Sequence, residues 1–346
     1  MKKLKVGIVG LGMGSCHIED FRKHPNVEVV ALADISEEKL KKVGTEKKVK
    51  KLYTRFEEML EKEDLDIVTI AVPNFLHKPF TIAAFEAGCH VICEKPMAMN
   101  AQEAEEMIAV GNKFKKKLMI NFSYRFSPEA YAMKKEVDNR ILGKIYYART
   151  IWHRRRGFPG FGGWFGQKKL SGGGPLIDLG VHRLDLALWL MGYPEPKWVM
   201  GSTYNHLGKK AAEKDGKEYD VEDIAVALIK FKNGATIEIE ASCAANIKEN
   251  EKMETRLLGT KGGMFQKNVN EGYSFELNIY EEHNSCQYDR KLHPPIPDAH
   301  NAMYHFADSI LNNTLHTARG EEGLIVMKLL DAIYESAKQG RPIEIK

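Results

Sequence analysis

The chain has 346 residues, of which 43% are hydrophobic, and 51 lysines and arginines against 47 aspartates and glutamates give a formal net charge of +4. This length exceeds that of a typical single core and predicts two domains. The mild charge argues against nucleic acid as a partner. No apolar run approaches the roughly 18 residues of a membrane span, so we expect no membrane partner either.

Two lysine-rich runs, 41–51 and 113–117, are the strongest sign of a polyanion site. Glutamates lie in their neighbourhoods, so solvated helix faces are the favoured interpretation. The five cysteines form no Cys-x-x-Cys pair and are odd in number, which favours a reduced, cytoplasmic protein. The apolar stretch near the N-terminus is too short and too glycine-broken for a signal peptide, and it predicts a first strand and turn.

Apolar segments alternate with helical patterns over the first 122 residues. The predicted strands are 5–9, 27–34, 65–73, 90–96 and 117–123, and the predicted helices are 15–24, 36–43, 56–64, 78–88 and 101–114. Strands that are apolar throughout and alternate with helices indicate a parallel sheet covered on both faces. We therefore predict a doubly wound Rossmann α/β domain over residues 1–122.

The pattern changes after residue 122, where strands follow one another without helices between them. The predicted strands are 145–153, 197–205, 222–231, 235–244 and 253–260, with a hairpin turn at 233–235. Alternation within 235–241 predicts one wet and one buried face. We predict an α+β domain over residues 123–346, built on an open antiparallel sheet and closed by helices at about 299–313 and 321–339.

A glycine turn follows the first strand and precedes the first helix. Gly10, Gly12 and Gly14, with Met13 between them, would let a pyrophosphate approach the helix N-terminus closely. The spacing departs from G-x-G-x-x-G, because Ser15 stands where the third glycine would fall. The turn predicts a dinucleotide site.

Asp34 ends the second strand about 20 residues after the glycine turn. A carboxylate at this place binds the ribose 2′-hydroxyl and repels a 2′-phosphate, so NAD is expected and NADP is less expected. The alternative role of Asp34 is to cap the next helix, for which Ser36 competes.

Polar side chains follow the third and fourth strands. Asn74 and His77 come after the third strand with Pro73, and Glu94 and Lys95 end the fourth. Ligands bind outside the carboxyl ends of parallel strands, so we expect these residues in the same crevice as the glycine turn. The alternative for any one of them is a polar loop residue.

A predicted helix after Gly172, Gly173 and Gly174 carries Asp178, His182 and Asp185 among apolar residues. Spacings of four and three place these side chains on one helical face. The three glycines are interpreted as letting the chain pass close to a cofactor and enter the helix without clashes. A metal site and a buried structural Asp–His pair are the alternatives, and Asp185 is interpreted as a supporting residue.

Together these motifs resemble the Gfo/Idh/MocA family of glucose–fructose oxidoreductase and inositol dehydrogenase relatives, over essentially the whole chain. The resemblance rests on the glycine turn with His17, the segments P-N-x-x-H and E-K-P, N-F-S-Y-R-F at 121–126, and G-G-G-x-x-x-D-x-G-x-H-x-x-D at 172–185. It implies that Lys95 lies between nicotinamide and substrate, that Glu94 contacts the cofactor ribose, and that Asp178 and His182 are catalytic.

The resemblance implies an NAD(H)-dependent oxidoreductase that interconverts a secondary hydroxyl of a sugar, sugar derivative or cyclitol and a keto-sugar or inosose. In that reaction His182 would take the hydroxyl proton, Lys95 would stabilise charge on oxygen, and Asp178 would hold a hydroxyl or orient the imidazole. A redox-neutral NAD-dependent glycosidase is one alternative. A non-catalytic NAD- or sugar-binding regulator is another, against which the retention of all three residues argues.

The second half supplies candidate substrate contacts. Aromatic rings beside arginines suit polyols, because rings stack on sugar C–H groups and guanidinium groups donate to hydroxyls. The candidates are Tyr124, Trp152, Arg154, Arg155, Trp164 and, from the resemblance, His300, and Arg125 is predicted to contact the cofactor. Equally, the arginines could be solvated and the aromatics could pack a subunit interface. The open sheet predicts a homodimer or homotetramer.

Overall fold

A computed structural model describes residues 3–296 and 300–345. The chain divides into two compact units, Met1–Ser123 with His300–Met327 and Tyr124–Ala299 with Lys328–Lys346. The sequence-based division has its boundary at 122/123 and remains a prediction of the domain limits. Among the described residues, no helix is both long and apolar enough to cross a membrane.

The first unit is built on a six-stranded parallel sheet with strand order β3-β2-β1-β4-β5-β6. The strands are β1 (Leu4–Val9), β2 (Val27–Ala33), β3 (Lys51–Tyr53), β4 (Ile67–Ile70), β5 (His90–Cys93) and β6 (Leu118–Ile120). The helices are α1 (Gly14–Arg22), α2 (Glu37–Glu46), α3 (Phe56–Lys62), α4 (His77–Glu86) and α5 (Ala101–Lys113). The predicted doubly wound domain is confirmed, and the order reverses between β1 and β4, where ligands bind in such sheets.

The second unit is built on a nine-stranded sheet with order β14-β13-β12-β11-β7-β10-β9-β8-β15. Its strands are β7 (Ile145–Arg154), β8 (Pro196–Tyr204), β9 (Ile224–Phe231), β10 (Thr236–Ser242), β11 (Glu251–Gly259), β12 (Gly262–Asn268), β13 (Phe275–His283), β14 (Cys286–Lys291) and β15 (Ile343–Glu344). Within the described part of this sheet, every neighbouring pair is antiparallel except β7 with β10. The predicted antiparallel sheet is therefore confirmed as a mixed, mostly antiparallel one.

The remaining helices are α6 (Pro128–Asp138), α7 (Lys168–Ser171), α8 (Val181–Met191), α9 (Leu207–Asp215), α10 (Ala302–Leu311) and α11 (Gly320–Gln339). The start predicted for α10, residue 299, lies outside the described residues. A single π-helical turn, Leu176–Gly180, leads into α8, and the two pack on the central strands β7 and β10 of the nine-stranded sheet. This stretch carries Asp178 and His182, so its attachment to the sheet decides where the two side chains lie.

Residues 300–327 complete the first unit. Helix α10 packs on α1, and the Ile120 amide at the end of β6 donates to the Ala318 carbonyl at 2.8 Å. His316 Nε2 lies 2.9 Å from the Leu118 carbonyl oxygen. The edge of the parallel sheet is thus covered by chain that is about 200 residues away in sequence.

Candidate active site

The three glycines of the turn after β1 serve different purposes. Gly10 has φ +85°, and a Cβ there would lie 2.2 Å from the Ala71 carbonyl oxygen, so the loops after β1 and β4 can approach only because it is glycine. A Cβ at Gly14 would lie 2.8 Å from Ile8 Cγ2. For Gly12, no heavy atom of the described residues beyond its chain neighbours lies within 4 Å of such a Cβ. Packing therefore requires Gly10 and Gly14, whereas Gly12 faces open space, as close approach of a pyrophosphate requires.

Asp34 links the glycine turn to the loop after β2. Its Oδ2 accepts the Leu11 amide at 2.8 Å, and its Oδ1 accepts the Ser36 amide at 2.9 Å. Ser36, and not Asp34, caps α2, because its side chain accepts the Lys39 amide. Asp34 is thus fixed at the end of β2 beside the glycine turn. Met13, in the turn itself, is largely exposed.

His77 ties together the loops after β4 and β5. Its ring is fully buried, with Nε2 2.9 Å from the Val72 carbonyl oxygen and Nδ1 2.7 Å from that of Pro96. Burial lowers the pKa of His77. The buried ring offers no surface for direct ligand contact, so its influence on the site passes through the loops. In those loops, Asn74 is buried after Pro73, and Lys95 precedes Pro96.

Glu94 is held as a carboxylate beside Lys95. His17 Nε2 lies 3.0 Å from Glu94 Oε1, and Asn121 Nδ2 donates to the same oxygen at 2.7 Å. Burial acts to raise the pKa of Glu94, but these hydrogen bonds outweigh it and the pKa lies below its ordinary value. The Lys95 amide donates to the other oxygen at 3.3 Å. The Glu94 carboxylate therefore adjoins Lys95 at the end of β5, and its contact with His17 connects it to α1.

Asp178 and His182 lie in the second unit, at the start of the helix predicted to carry them. Asp178 is half-buried in the π-helical turn, and His182 is largely buried in the first turn of α8. The wider π turn replaces the regular α-helical start that the spacing predicts. Single π turns are frequent at functional sites.

The glycines before this helix avoid side-chain clashes, as the sequence predicts, and the structure shows which residues a side chain would meet. A Cβ at Gly173 would lie 2.1 Å from Tyr334 Oη, and one at Gly174 would lie 2.1 Å from the Glu222 carbonyl oxygen. Gly172 has φ +85° and ends α7. Within this unit, Gly173 packs against Tyr334 of α11 and Gly174 packs against Glu222, just before β9, too closely for a side chain. The expected approach of the same stretch to a cofactor stays a prediction.

Glu222 fixes the glycine stretch by accepting hydrogen bonds from its backbone. Its Oε2 accepts the Gly174 amide at 2.9 Å, and its Oε1 accepts the Leu176 amide at 3.0 Å and the Tyr334 hydroxyl at 2.8 Å. Burial raises the pKa of Glu222. This network fixes the entry to the helix of Asp178 and His182, and no motif in the sequence pointed to it.

Arg125 is fully buried in the second unit. Its Nε donates to Asp185 Oδ2 at 2.8 Å, its Nη2 donates to Asp185 Oδ1 at 2.5 Å, and the Tyr193 hydroxyl donates to that same oxygen at 2.9 Å. Asp185 follows His182 by three residues on α8. The guanidinium is therefore paired with α8 one turn after His182, and the supporting role of Asp185 stays a prediction.

Aromatic rings surround His182. Its ring centroid lies 5.1 Å from that of Tyr124 and 5.6 Å from that of Trp152. Trp152 is buried, and its Nε1 donates to Glu251 at 2.7 Å. Arg154 pairs with the same carboxylate through Nε at 2.9 Å. Trp152 and Arg154 thus form one network around Glu251, with the Trp152 ring under His182 rather than exposed.

Arg183, the residue after His182, was not anticipated. It is fully buried, its Nη1 donates to Gln266 at 3.2 Å, and its Cζ lies 4.6 Å from the Tyr124 ring centroid and 4.9 Å from that of Phe275. Burial lowers its pKa to about 10. A cation thus lies behind the rings that contact His182, and the apolar pattern of α8 gave no signal for it.

The remaining substrate candidates make contacts with other residues. Arg155 is exposed, with Nη1 3.4 Å from the Lys248 carbonyl oxygen, and Trp164 stacks on Phe165 with centroids 3.8 Å apart. His300 belongs to the first unit, where it stacks on Tyr304 at 3.9 Å. Across 3–296 and 300–345, no group of three or more His, Cys, Asp or Glu side chains could hold a metal ion.

The sequence matches two family profiles that together cover most of the chain. Residues 4–122 match the profile described as "Oxidoreductase family, NAD-binding Rossmann fold", and residues 134–345 match "Oxidoreductase family, C-terminal alpha/beta domain". The chain is 31% identical to D-glucoside 3-dehydrogenase of Escherichia coli, over 99% of this chain and 97% of that one. It is 30% identical to myo-inositol 2-dehydrogenase of Thermotoga maritima, over 78% and 76%. The structure of aldose-aldose oxidoreductase from Caulobacter crescentus in complex with glycerol superposes with a TM-score of 0.84 at 28% identity, over 99% and 100% of the two chains.

Proposed function

The chain belongs to the Gfo/Idh/MocA oxidoreductase family, and we propose that it is an NAD(H)-dependent dehydrogenase for a secondary hydroxyl of a sugar, sugar derivative or cyclitol. Its first domain is the family's NAD-binding Rossmann domain. The product would be a keto-sugar or inosose. The observation that carries the proposal is that Lys95, Asp178 and His182 are all retained in a chain whose full-length relative is a glucoside dehydrogenase.

The residues of the first unit fit a dinucleotide. We propose that Gly10, Gly12, Met13 and Gly14 hold the pyrophosphate, where Gly12 faces open space at the start of α1. Asp34 would bind the adenosine ribose. Pro73, Asn74 and Glu94, at the ends of β4 and β5, would line the nicotinamide side, with His77 and Arg125 supporting the loops and helix rather than touching the ligand.

Oxidation of an alcohol needs an acceptor for the hydride, a base for the proton and a stabilised oxygen. NAD supplies the first when it is bound. We propose that His182 takes the hydroxyl proton, that Lys95 stabilises the charge developing on oxygen, and that Asp178 holds a substrate hydroxyl or orients the imidazole. Tyr124 and Trp152 support His182 through ring contacts.

Further substrate contacts and the assembly state are also proposals. Arg154, Arg155, Trp164 and His300 are kept as candidate substrate contacts. The nine-stranded sheet is proposed to form the interface of a homodimer or homotetramer. The five cysteines are all free thiols, which supports a reducing, cytoplasmic location.

The proposal is tested by NADH absorbance. Purified protein is mixed with NAD or NADP and with inositols, aldoses, anhydrosugars, sugar acids and glycosides in turn. We expect an NAD-linked rate on one class of polyol, with product isolated as a ketone. NAD binding with no net NADH on any class, but with glycoside cleavage, would replace the proposal with a redox-neutral reaction.

A matched pair of glycine variants tests the cofactor site. Gly12→Ala is expected to leave the melting temperature unchanged and to weaken NADH binding by about tenfold or more, because the added methyl group occupies the space that the pyrophosphate needs. Gly10→Ala is expected to lower the free energy of unfolding by at least about 1 kcal/mol, because of its positive φ and the clash with Ala71. Fluorescence titration and thermal melts measure both. Unchanged NADH affinity in Gly12→Ala would contradict the proposed site.

A further inference from the structure

The carboxylate of Asp34 has a cation beside it. Lys39, in the first turn of α2, places Nζ 3.5 Å from Asp34 Oδ2, the oxygen that also accepts the Leu11 amide. The Asp34 side chain is 7% exposed and that of Lys39 is 45% exposed. The carboxylate is therefore fixed by backbone amides, whereas the ammonium group is at the surface and can turn.

This pairing changes what the end of β2 presents to a nucleotide. An isolated carboxylate there accepts the ribose 2′-hydroxyl and repels a 2′-phosphate. An ammonium at 3.5 Å opposes that charge, and it has three N–H donors whose hydrogen bonds a phosphate oxygen can accept. The repulsion that would exclude NADP is therefore partly cancelled by the chain itself.

There is room beside the pair. A cavity of about 650 Å³ lies between α1 and α2. Its charged lining consists of the cations Lys39, Lys42 and Lys47 and the anions Glu19, Asp20 and Glu46, with Leu11 of the glycine turn and Ser15 of α1 beside them. Lys47 is paired with Glu19 at 3.2 Å. Lys39 of the pair lines the cavity together with Leu11, whose amide Asp34 accepts, so a free space adjoins the ammonium group.

We propose that Lys39 determines the NAD/NADP specificity of this enzyme. Its ammonium group neutralises Asp34 and donates hydrogen bonds to the 2′-phosphate of NADP. The site therefore accepts NADP as a second cofactor that binds more weakly than NAD. The proposal rests on the dinucleotide site of the proposed function. It assigns a role to Lys39 that is separate from the chemistry of the substrate.

Binding measurements test this without a substrate. Dissociation constants for NADH and NADPH are measured by fluorescence titration on the unaltered chain, Lys39→Ala and Lys41→Ala. Lys41 is the matched control, because it lies on the same helix, pairs with Glu37 and removes the same charge. Lys39→Ala is expected to weaken NADPH about three- to tenfold and NADH less than about twofold, and the difference should shrink at high salt.

A second pair of variants separates direct contact from neutralisation. Asp34→Asn removes the charge and keeps one of the two oxygens that accept backbone amides, so NADPH should bind tighter relative to NADH. Adding Lys39→Ala to Asp34→Asn should again weaken NADPH, because the ammonium–phosphate contact is lost. No further loss in the double variant overturns the direct contact, and equal effects of Lys39→Ala and Lys41→Ala overturn the specificity role. Binding of both cofactors without any sugar turnover would contradict the proposed function alone.

Discussion

Replacing Lys95 by alanine is expected to lower turnover by at least about 10²-fold while NADH binding stays within about twofold, because the variant loses a charge that stabilises the reacting oxygen and keeps the glycine turn and Asp34. Steady-state rates on the substrate found in the NADH screen, with NADH titrations on the same samples, measure both quantities. External alkylamines should restore part of the lost rate.

Two variants control this measurement. Lys95→Arg keeps the charge with another geometry and should retain more activity than alanine. Lys78→Ala removes a lysine of the same unit that pairs with Glu103 and Glu106 at the surface, and it should leave turnover unchanged. A loss below tenfold in Lys95→Ala would show that this amine does not act on the reacting oxygen.

Replacing Arg125 by methionine is expected to lower the free energy of unfolding of the second unit by about 3–5 kcal/mol, because it leaves the buried Asp185 carboxylate without its counter-charge. The four tryptophans all lie at positions 152–198, so tryptophan fluorescence in urea reports on this unit alone. The effect should exceed that of any exposed pair.

The double variant Arg125→Met/Asp185→Leu should recover most of that loss, since the unpaired carboxylate is then gone. Lys134→Ala, which breaks an exposed pair with Asp138 on α6, is the control and should cost less than about 1 kcal/mol. A loss in Arg125→Met no larger than in this control would mean that the buried pair does not hold α8.

The parallel sheet could be predicted from the sequence because its signal is local. Strands β1, β2, β4 and β5 are each continuous apolar runs, and each is followed by a helix with its own start and stop residues. The short edge strand β3 was not predicted, since one exposed and two half-buried residues form no clear pattern. In the second unit β12 to β14 were missed. β14 is exposed along its whole length and has no buried face to reveal it.

For the site, sequence reasoning found residues that lie at strand ends or on one helix face, and it missed those that hold them. Asp34, Glu94 and Asp178 were visible because motifs and spacing mark them. Glu222 and Arg183 were not visible in the sequence, because a single buried charge has no periodicity. Glu222 binds Gly174, which is 48 residues away, and Arg183 binds Gln266, which is 83 residues away. His77 and Arg125 were predicted to contact the cofactor, and the structure shows that they bind backbone carbonyls and the Asp185 carboxylate, respectively.

Residues 300–345 complete both units, and their position in the chain has a consequence for folding during synthesis. The edge of β6 is covered by residues 316–319. The Glu222 carboxylate, which binds the glycine stretch, accepts a hydrogen bond from Tyr334. A ribosome adds about 5–20 residues per second and releases the N-terminal part first. The first unit can therefore be completed only after residues 300–327 have emerged, and the second only after the residues that follow them have emerged. We expect the nascent Rossmann domain, unlike one made from a contiguous segment, to leave the tunnel with an open sheet edge and to depend on chaperones until the C-terminal helices are made.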